Sequence, residues 1–146
     1  MTAPPPLRQQ VRDEWIDYNG HLSEAYYVLV FGFATDALME HIGLDEQYRR
    51  RTGCSLYTVE AHVRYLREVG PESELVVTTH VVGGSAKKLR ICHEMSLGEE
   101  VVATEEVLAL HVDGEQGRAV EFPDEVARRI GALTETPPHY AGRSIG

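Results

Sequence analysis

Two spacings of apolar residues divide the chain. Across residues 23–42, Ala25, Tyr26, Leu29, Phe33, Ala37 and Leu38 recur at helical spacing, and Val28, Val30 and Phe31 cover much of the remaining surface. A helix that is apolar nearly all round is one surrounded by protein, so this stretch predicts a single long buried helix ended by Gly43. "LDEQYRRRTG" follows as a polar connection with room for a helical turn. From Cys54 the period shortens to two. Tyr57, Val59, Ala61, Val63 and Tyr65 alternate with Thr58, Glu60, His62, Arg64 and Leu66. "ELVVTTHVV" follows the Gly70-Pro71 break, and "GGSAKK" makes a hairpin turn. Leu89, Ile91, His93 and Met95 then alternate with Lys88, Arg90, Cys92 and Glu94, and "EVVATEEVLALHVD" makes a fourth strand after Gly98. Asp113-Gly114 turns the chain again, and "DEVARRIGAL" reads as a closing amphipathic helix at about 123–133. With a short extended segment ahead of the long helix, the order predicts an α+β domain. One antiparallel sheet of about five strands, the last four in a meander, wraps around one long central helix.

The length of 146 residues suits a single domain, 1–146, with its core at about 8–115. "APPP" reads as an extended leader, and "ETPPHYAGRSIG", residues 135–146, as a flexible tail. Composition is ordinary for a globular chain, but the net charge of −9 argues against nucleic acid or an anionic membrane as partner. Cys54 and Cys92, without a spacing motif, suggest a reduced setting. "MTAPPPLRQQ" lacks the layout of a secretory signal, and the longest apolar run falls short of the ~20 residues that span a bilayer. The expectation is a cytoplasmic protein.

The chemistry gathers where the long helix begins. Asp17-Tyr18-Asn19-Gly20-His21 combines turn residues with an acid and a histidine, and Ser23 stands where a helix cap is needed. On its own Asp17 reads equally as a turn residue. Together with the helix-then-strands order, this motif resembles the hotdog-fold acyl-CoA thioesterases of the 4-hydroxybenzoyl-CoA thioesterase type, over roughly residues 8–115. Asp17, Gly20 and His21 fit that group's Asp-x-x-Gly-His pattern, and "HLSEAYY" stands where "HVNNAxY" is frequent. A narrower resemblance rests on "EWIDYNGH", "FGFATDAL", "RTGCSLYTVEAHVRYLREV" and "LALHVD", which look like the betainyl-CoA thioesterases that accompany carnitine breakdown. The wider group often has Phe-Glu within the helix where this chain has Phe31-Gly32, so no role of that Glu carries over.

The resemblance implies hydrolysis of a small acyl-CoA thioester to free acid and CoA, with betainyl-CoA giving betaine, and no cofactor beyond the CoA of the substrate. It implies Asp17 as the catalytic carboxylate, acting either as nucleophile through a mixed anhydride or as general base for water. The free N–H groups at the helix start, at Gly20, Ser23 and Glu24, would form the oxyanion site. His21 would orient Asp17, contact the thioester or cap the helix. Trp15, Tyr18, Asn19 and Tyr27 surround the motif as candidate substrate contacts, since aromatic faces attract quaternary ammonium. Tyr26, at a helical core position, reads as packing. Glu60, His62 and Arg64 share one strand face and read as solvated or intersubunit groups, with Glu60 and His62 as the functional alternative. Lys87, Lys88 and Arg90 are candidates for the CoA phosphates, as is the Arg49-Arg50-Arg51 run. His62, His80, His93 and His111 fall one to a strand without metal-ligand spacing, so no metal site is expected. Sheet edges and an apolar helix flank left bare imply a homodimer, possible also as a homotetramer. Two other functions fit the fold: a hotdog enoyl-CoA hydratase and a non-catalytic acyl-CoA-binding module.

Overall fold

The computed structural model describes residues 2–146. The long apolar stretch is α1 (Glu24–Ile42), closed by Gly43 in the left-handed conformation, with Val30, Phe31, Leu38 and Ile42 fully buried. β1 (Leu7–Gln10) and a 3-10 turn at Asp13–Trp15 precede it. After it come α2 (Glu46–Thr52), β2 (Cys54–Tyr65), β3 (Glu74–Gly84), β4 (Lys88–Leu97), β5 (Glu100–Asp113), β6 (Arg118–Ala119) and α3 (Asp124–Leu133). α2 is more than the helical turn that the sequence suggested. Asp45 caps it by accepting the Tyr48 N–H at 2.8 Å, and Gly53 ends it.

The sheet order is β1-β3-β4-β5-β2, antiparallel throughout, with β6 paired to the end of β5. This corrects the expected four-strand meander: only β3, β4 and β5 form one, while β2 pairs with β5. The connection from β2 to β3 carries the chain across to the far side of the sheet. It is held on the way by the Leu22 N–H on Val69 O and the Val11 N–H on Ser73 O, both 2.8 Å. β2 is thereby an edge strand. A bulge between Thr58 and Glu60 also breaks its expected alternation. Leu56 and Thr58 line the same cavity as Ala61, so the inward parity switches along the strand. Tyr57, Val59 and Tyr65 are left exposed, Val59 at 53%.

Along the sheet's inner face the strands stack in rungs set by their register. Val77, Met95 and Ala103 form one rung, and Val81, Ile91 and Val107 form another. Between them lies Thr79–His93–Glu105, a polar rung that separates the two main apolar clusters of the core. His93 is fully buried and stacks on Phe31 of α1. Its Nε2 lies 2.9 Å from Thr35 Oγ1 and its Nδ1 lies 2.9 Å from Thr79 Oγ1. The Thr35 hydroxyl also reaches Phe31 O at 3.3 Å. A threonine hydroxyl thus meets each ring nitrogen. Burial, reinforced by His80, pushes the His93 pKa down to about 3, which keeps the ring neutral.

The tail is also corrected in part. Residues 135–142 are anchored on the outer face, where Tyr140 is buried with Val82 and Cys92, while 143–146 are exposed as expected. Glu135 bonds His80 at 3.0 Å and the Gly142 N–H bonds Glu106 Oε1 at 2.7 Å. Burial alone would raise the Glu106 carboxyl, but the Gly142 N–H and the Arg90 guanidinium outweigh it and hold the pKa below the usual value.

Candidate active site

The Asp17–His21 segment is a tight reversal closed by backbone bonds. The Asp17 N–H donates to His21 O at 2.8 Å, the Gly20 N–H donates to Asp17 O at 3.0 Å, and Ile16 bridges to Leu22. Gly20 sits at φ +80°, a conformation that side chains resist and that the turn requires. Asp17 Oδ1 accepts the Asn19 N–H at 2.8 Å and, more loosely, the His21 N–H at 3.4 Å. The turn and functional readings of Asp17 are thus compatible. One carboxylate oxygen shapes the loop, and among the described residues nothing donates to Oδ2.

Ser23 occupies the N-cap position of α1, yet its hydroxyl makes no capping bond, which corrects its expected role as a side-chain cap. Its backbone N–H is spent on Trp15 O at 3.0 Å. The Glu24 and Ala25 N–H groups, by contrast, find no acceptor among the described residues. Two uncommitted donors at the positive end of a nineteen-residue helix are what a developing oxyanion needs.

Glu24 and Asp17 open on a cavity of about 670 Å³ lined also by Tyr18, Asn19, His21, Tyr27, Tyr65 and the 66–68 loop. Tyr18 lies on the rim, 97% exposed. Tyr27 meets Tyr65 edge to face at 5.0 Å and donates to Arg67 O at 3.2 Å, while the Tyr65 hydroxyl donates to Glu24 O at 3.3 Å. Burial raises both tyrosine pKa values, so both stay neutral donors. The His21 ring turns to Glu68, with Nε2 3.3 Å from Oε2, and makes no bond to the Asp17 carboxylate.

The other candidates separate. Trp15 is buried, stacked on Tyr26 at 5.4 Å and covered by Arg12, so it packs the base of the loop instead of reading a substrate. Glu60 and His62 line a different cavity, of about 290 Å³, with Arg90, Glu106, Gly142 and Arg143. Arg90 is engaged there by Glu106 at 2.7 Å. Lys87, Lys88 and Arg90 do not line the Asp17 cavity within this chain. Its one arginine is Arg67, bonded to Glu100 at 3.1 Å. Tyr65, at the end of β2, and Arg67 and Glu68, on the loop after it, were missed from the sequence because they lie far from Asp17 along the chain. The only signal was that "YLREV" ends a strand just before the Gly70-Pro71 break. Among the described residues, no cluster of three His, Cys, Asp or Glu could hold a metal. Among the described residues, no single helix is long and apolar enough to cross a membrane.

An antiparallel sheet curled on one buried helix, with a free carboxylate oxygen beside uncapped N–H groups at that helix's mouth, defines a hotdog-type thioester hydrolase. The chain belongs to the thioesterase-like superfamily, whose model matches residues 11–130. It is 43% identical to the betainyl-CoA thioesterase of Pseudomonas aeruginosa, covering 93% of this chain and 90% of that one. It is 45% identical to part of the L-carnitine dehydrogenase/betainyl-CoA thioesterase of Agrobacterium fabrum, over 96% of this chain and 30% of that longer protein. Among solved structures, a thioesterase candidate of Pseudomonas putida superimposes with a TM-score of 0.85 at 37% identity, covering 100% and 97% of the two chains.

Proposed function

We propose that this enzyme hydrolyses betainyl-CoA to betaine and CoA, with Asp17 as the catalytic carboxylate. The observation that carries this reading is that Asp17, with its free Oδ2, and Glu24, with its uncommitted N–H at the mouth of α1, line one cavity. The choice of acyl group follows the relatives at 43% and 45% identity. In the general-base route Oδ2 takes a proton from water as the water oxygen bonds the thioester carbon. The carbonyl oxygen gains the negative charge and rests against the two N–H groups. Collapse breaks the C–S bond, and the CoA thiolate leaves with the proton that Asp17 collected. In the alternative route Oδ2 itself bonds the carbon, expels the thiolate and leaves an anhydride for water to open.

A second copy of the chain completes the reading. β2 offers an unpaired edge bearing Tyr57, Val59 and Tyr65, and α1 bares Val28 and Leu29 nearby. Edge-to-edge pairing of two such sheets removes both liabilities. The deciding experiment is thiol release from betainyl-, acetyl- and 4-hydroxybenzoyl-CoA by wild type and Asp17→Asn. The wild type prefers betainyl-CoA, and the variant loses about 10²–10⁴-fold in kcat. Equal rates on all three thioesters overturn the acyl assignment; full activity in the variant overturns the role of Asp17.

A further inference from the structure

Glu105 is an anomaly in the core. It is 5% exposed and makes no hydrogen bond or ion pair among the described residues, and its oxygens keep the little accessible surface they have on a cavity wall. Buried carboxylates are ordinarily paired, because an ion stripped of water is expensive. Its neighbours do not help. Across the register lie Val63 of β2 and the neutral His93 of β4, while Asp36 of α1 and Tyr65 of β2 bring no positive charge. The side chain is turned instead toward a cavity of about 290 Å³ between α1 and β2.

That cavity has a particular chemistry. Val28, Met39, Leu56 and Ala61 give it apolar walls. The Thr35 hydroxyl is already committed to Phe31 O and His93. Glu105, with Asp36 beside it, supplies the negative charge. A metal ion or a primary ammonium would ask for several fixed oxygens around it. A quaternary ammonium asks for none: it has no N–H, presents methyl groups to apolar walls, and needs only a nearby anion or aromatic face.

A second observation concerns the space itself. Gly32 stands in the middle of α1 and lines this cavity. Glycine in a helix interior costs about 1 kcal/mol relative to alanine. Packing does not demand it, since a Cβ built there meets nothing within 4 Å. Val28 and Gly32, four residues apart on one helix face, both line the cavity. Tyr65 stands between Glu24 and Glu105: its hydroxyl donates to Glu24 O at 3.3 Å, and Glu105 lies close enough to raise its pKa after burial has done so.

We infer that Glu105 is the specificity-determining residue of this enzyme. Its carboxylate is the counter-ion for a trimethylammonium acyl head seated in the α1/β2 cavity, and Gly32 keeps the space for it. The inference rests on the proposed hydrolysis of betainyl-CoA, and its test separates the two. 3,3-Dimethylbutyryl-CoA has the same shape as betainyl-CoA with carbon in place of the charged nitrogen. Wild type is expected to favour betainyl-CoA over this neutral twin by about tenfold or more in kcat/KM, and Glu105→Gln brings the ratio to within about twofold. An undiminished ratio in the variant overturns the inference. Gly32→Leu, which fills open space and suits a helix, is expected to lower the betainyl-to-acetyl ratio about tenfold or more, and an unchanged ratio counts against the site. Calorimetric binding of betaine and 3,3-dimethylbutyrate gives a readout free of catalysis. Betaine affinity should fall about tenfold in Glu105→Gln, while the neutral acid shows no comparable loss. If wild type cleaves no thioester, the hydrolytic reading fails, and betaine binding still decides the role of Glu105: loss in the variant supports it and equal affinity overturns it.

Discussion

Glu105→Gln should make the protein more stable, and only above acid pH. Burial raises the Glu105 carboxyl from its ordinary 4.5 to about 7. The folded state therefore holds this proton up to about pH 7, whereas the unfolded chain releases it near 4.5. Between those values the native state binds more protons, so stability falls as pH rises. At 1.36 kcal/mol per pH unit the gap costs about 3 kcal/mol once the pH exceeds 7, an upper figure because the cavity admits some water. Below pH 4.5 the neutral acid and the amide are close equivalents, and the penalty vanishes. The assay is urea denaturation of both proteins at pH 5 and pH 8, at one protein concentration. Subtracting the wild-type change from the variant change cancels every other titrating group. The variant should gain about 2–3 kcal/mol relative to wild type on going from pH 5 to pH 8. Parallel pH profiles would refute the reasoning, for they would mean that Glu105 is paired or wet in solution.

Two further outcomes follow from the backbone. Gly20→Ala places a side chain at φ +80° and should cost about 1–2 kcal/mol. The loop that aims Asp17 should relax with it, so kcat falls more than KM rises. Val59→Lys plants a charge on the bare β2 edge; under the proposed pairing, light scattering should report a dimer for wild type and a monomer for the variant. Thiol release should fall with it if the site needs both copies; a dimeric variant would place the interface elsewhere.

The long helix and the four long strands were legible because period alone distinguishes them, whereas β1 at Leu7–Gln10 lies ahead of the extended segment read between Val11 and Glu24, and β6 is too short to show a period. Strand order was not legible. Nothing local in β2 says that it pairs with β5 instead of its sequence neighbour, and the bulge at Thr58 and Glu60 reverses parity without any Gly or Pro to announce it. Asp17 and Glu24 could be picked out as site candidates because one short segment carries both, and they line one cavity. Trp15 was misread, because proximity in sequence to Asp17 did not reveal that its ring turns into the core. Glu105 did leave a trace. Two adjacent carboxylates, Glu105-Glu106, in an alternating strand force one of them inward, and the inward one needs a reason.

That reason ties stability to selectivity at one position. Along the polar rung, Thr35, His93 and Thr79 satisfy one another, so that part costs the fold little. Glu105 ends the rung toward β2 with no partner, where the bulged edge strand leaves a cavity. An unpaired charge that only destabilises is readily lost to Gln, whereas one that discriminates among substrates is retained against its cost. The two properties should therefore move in opposite directions in the same variant. Glu105→Gln at pH 8 should resist urea better than wild type while losing its preference for the cationic acyl head. Both are measurable on one preparation, by denaturation and by the betainyl to 3,3-dimethylbutyryl ratio. A variant that gained stability and kept its preference would leave the carboxylate as a plain defect of the core. One that lost preference without gaining stability would mean that the folded protein already pairs the charge in the absence of substrate.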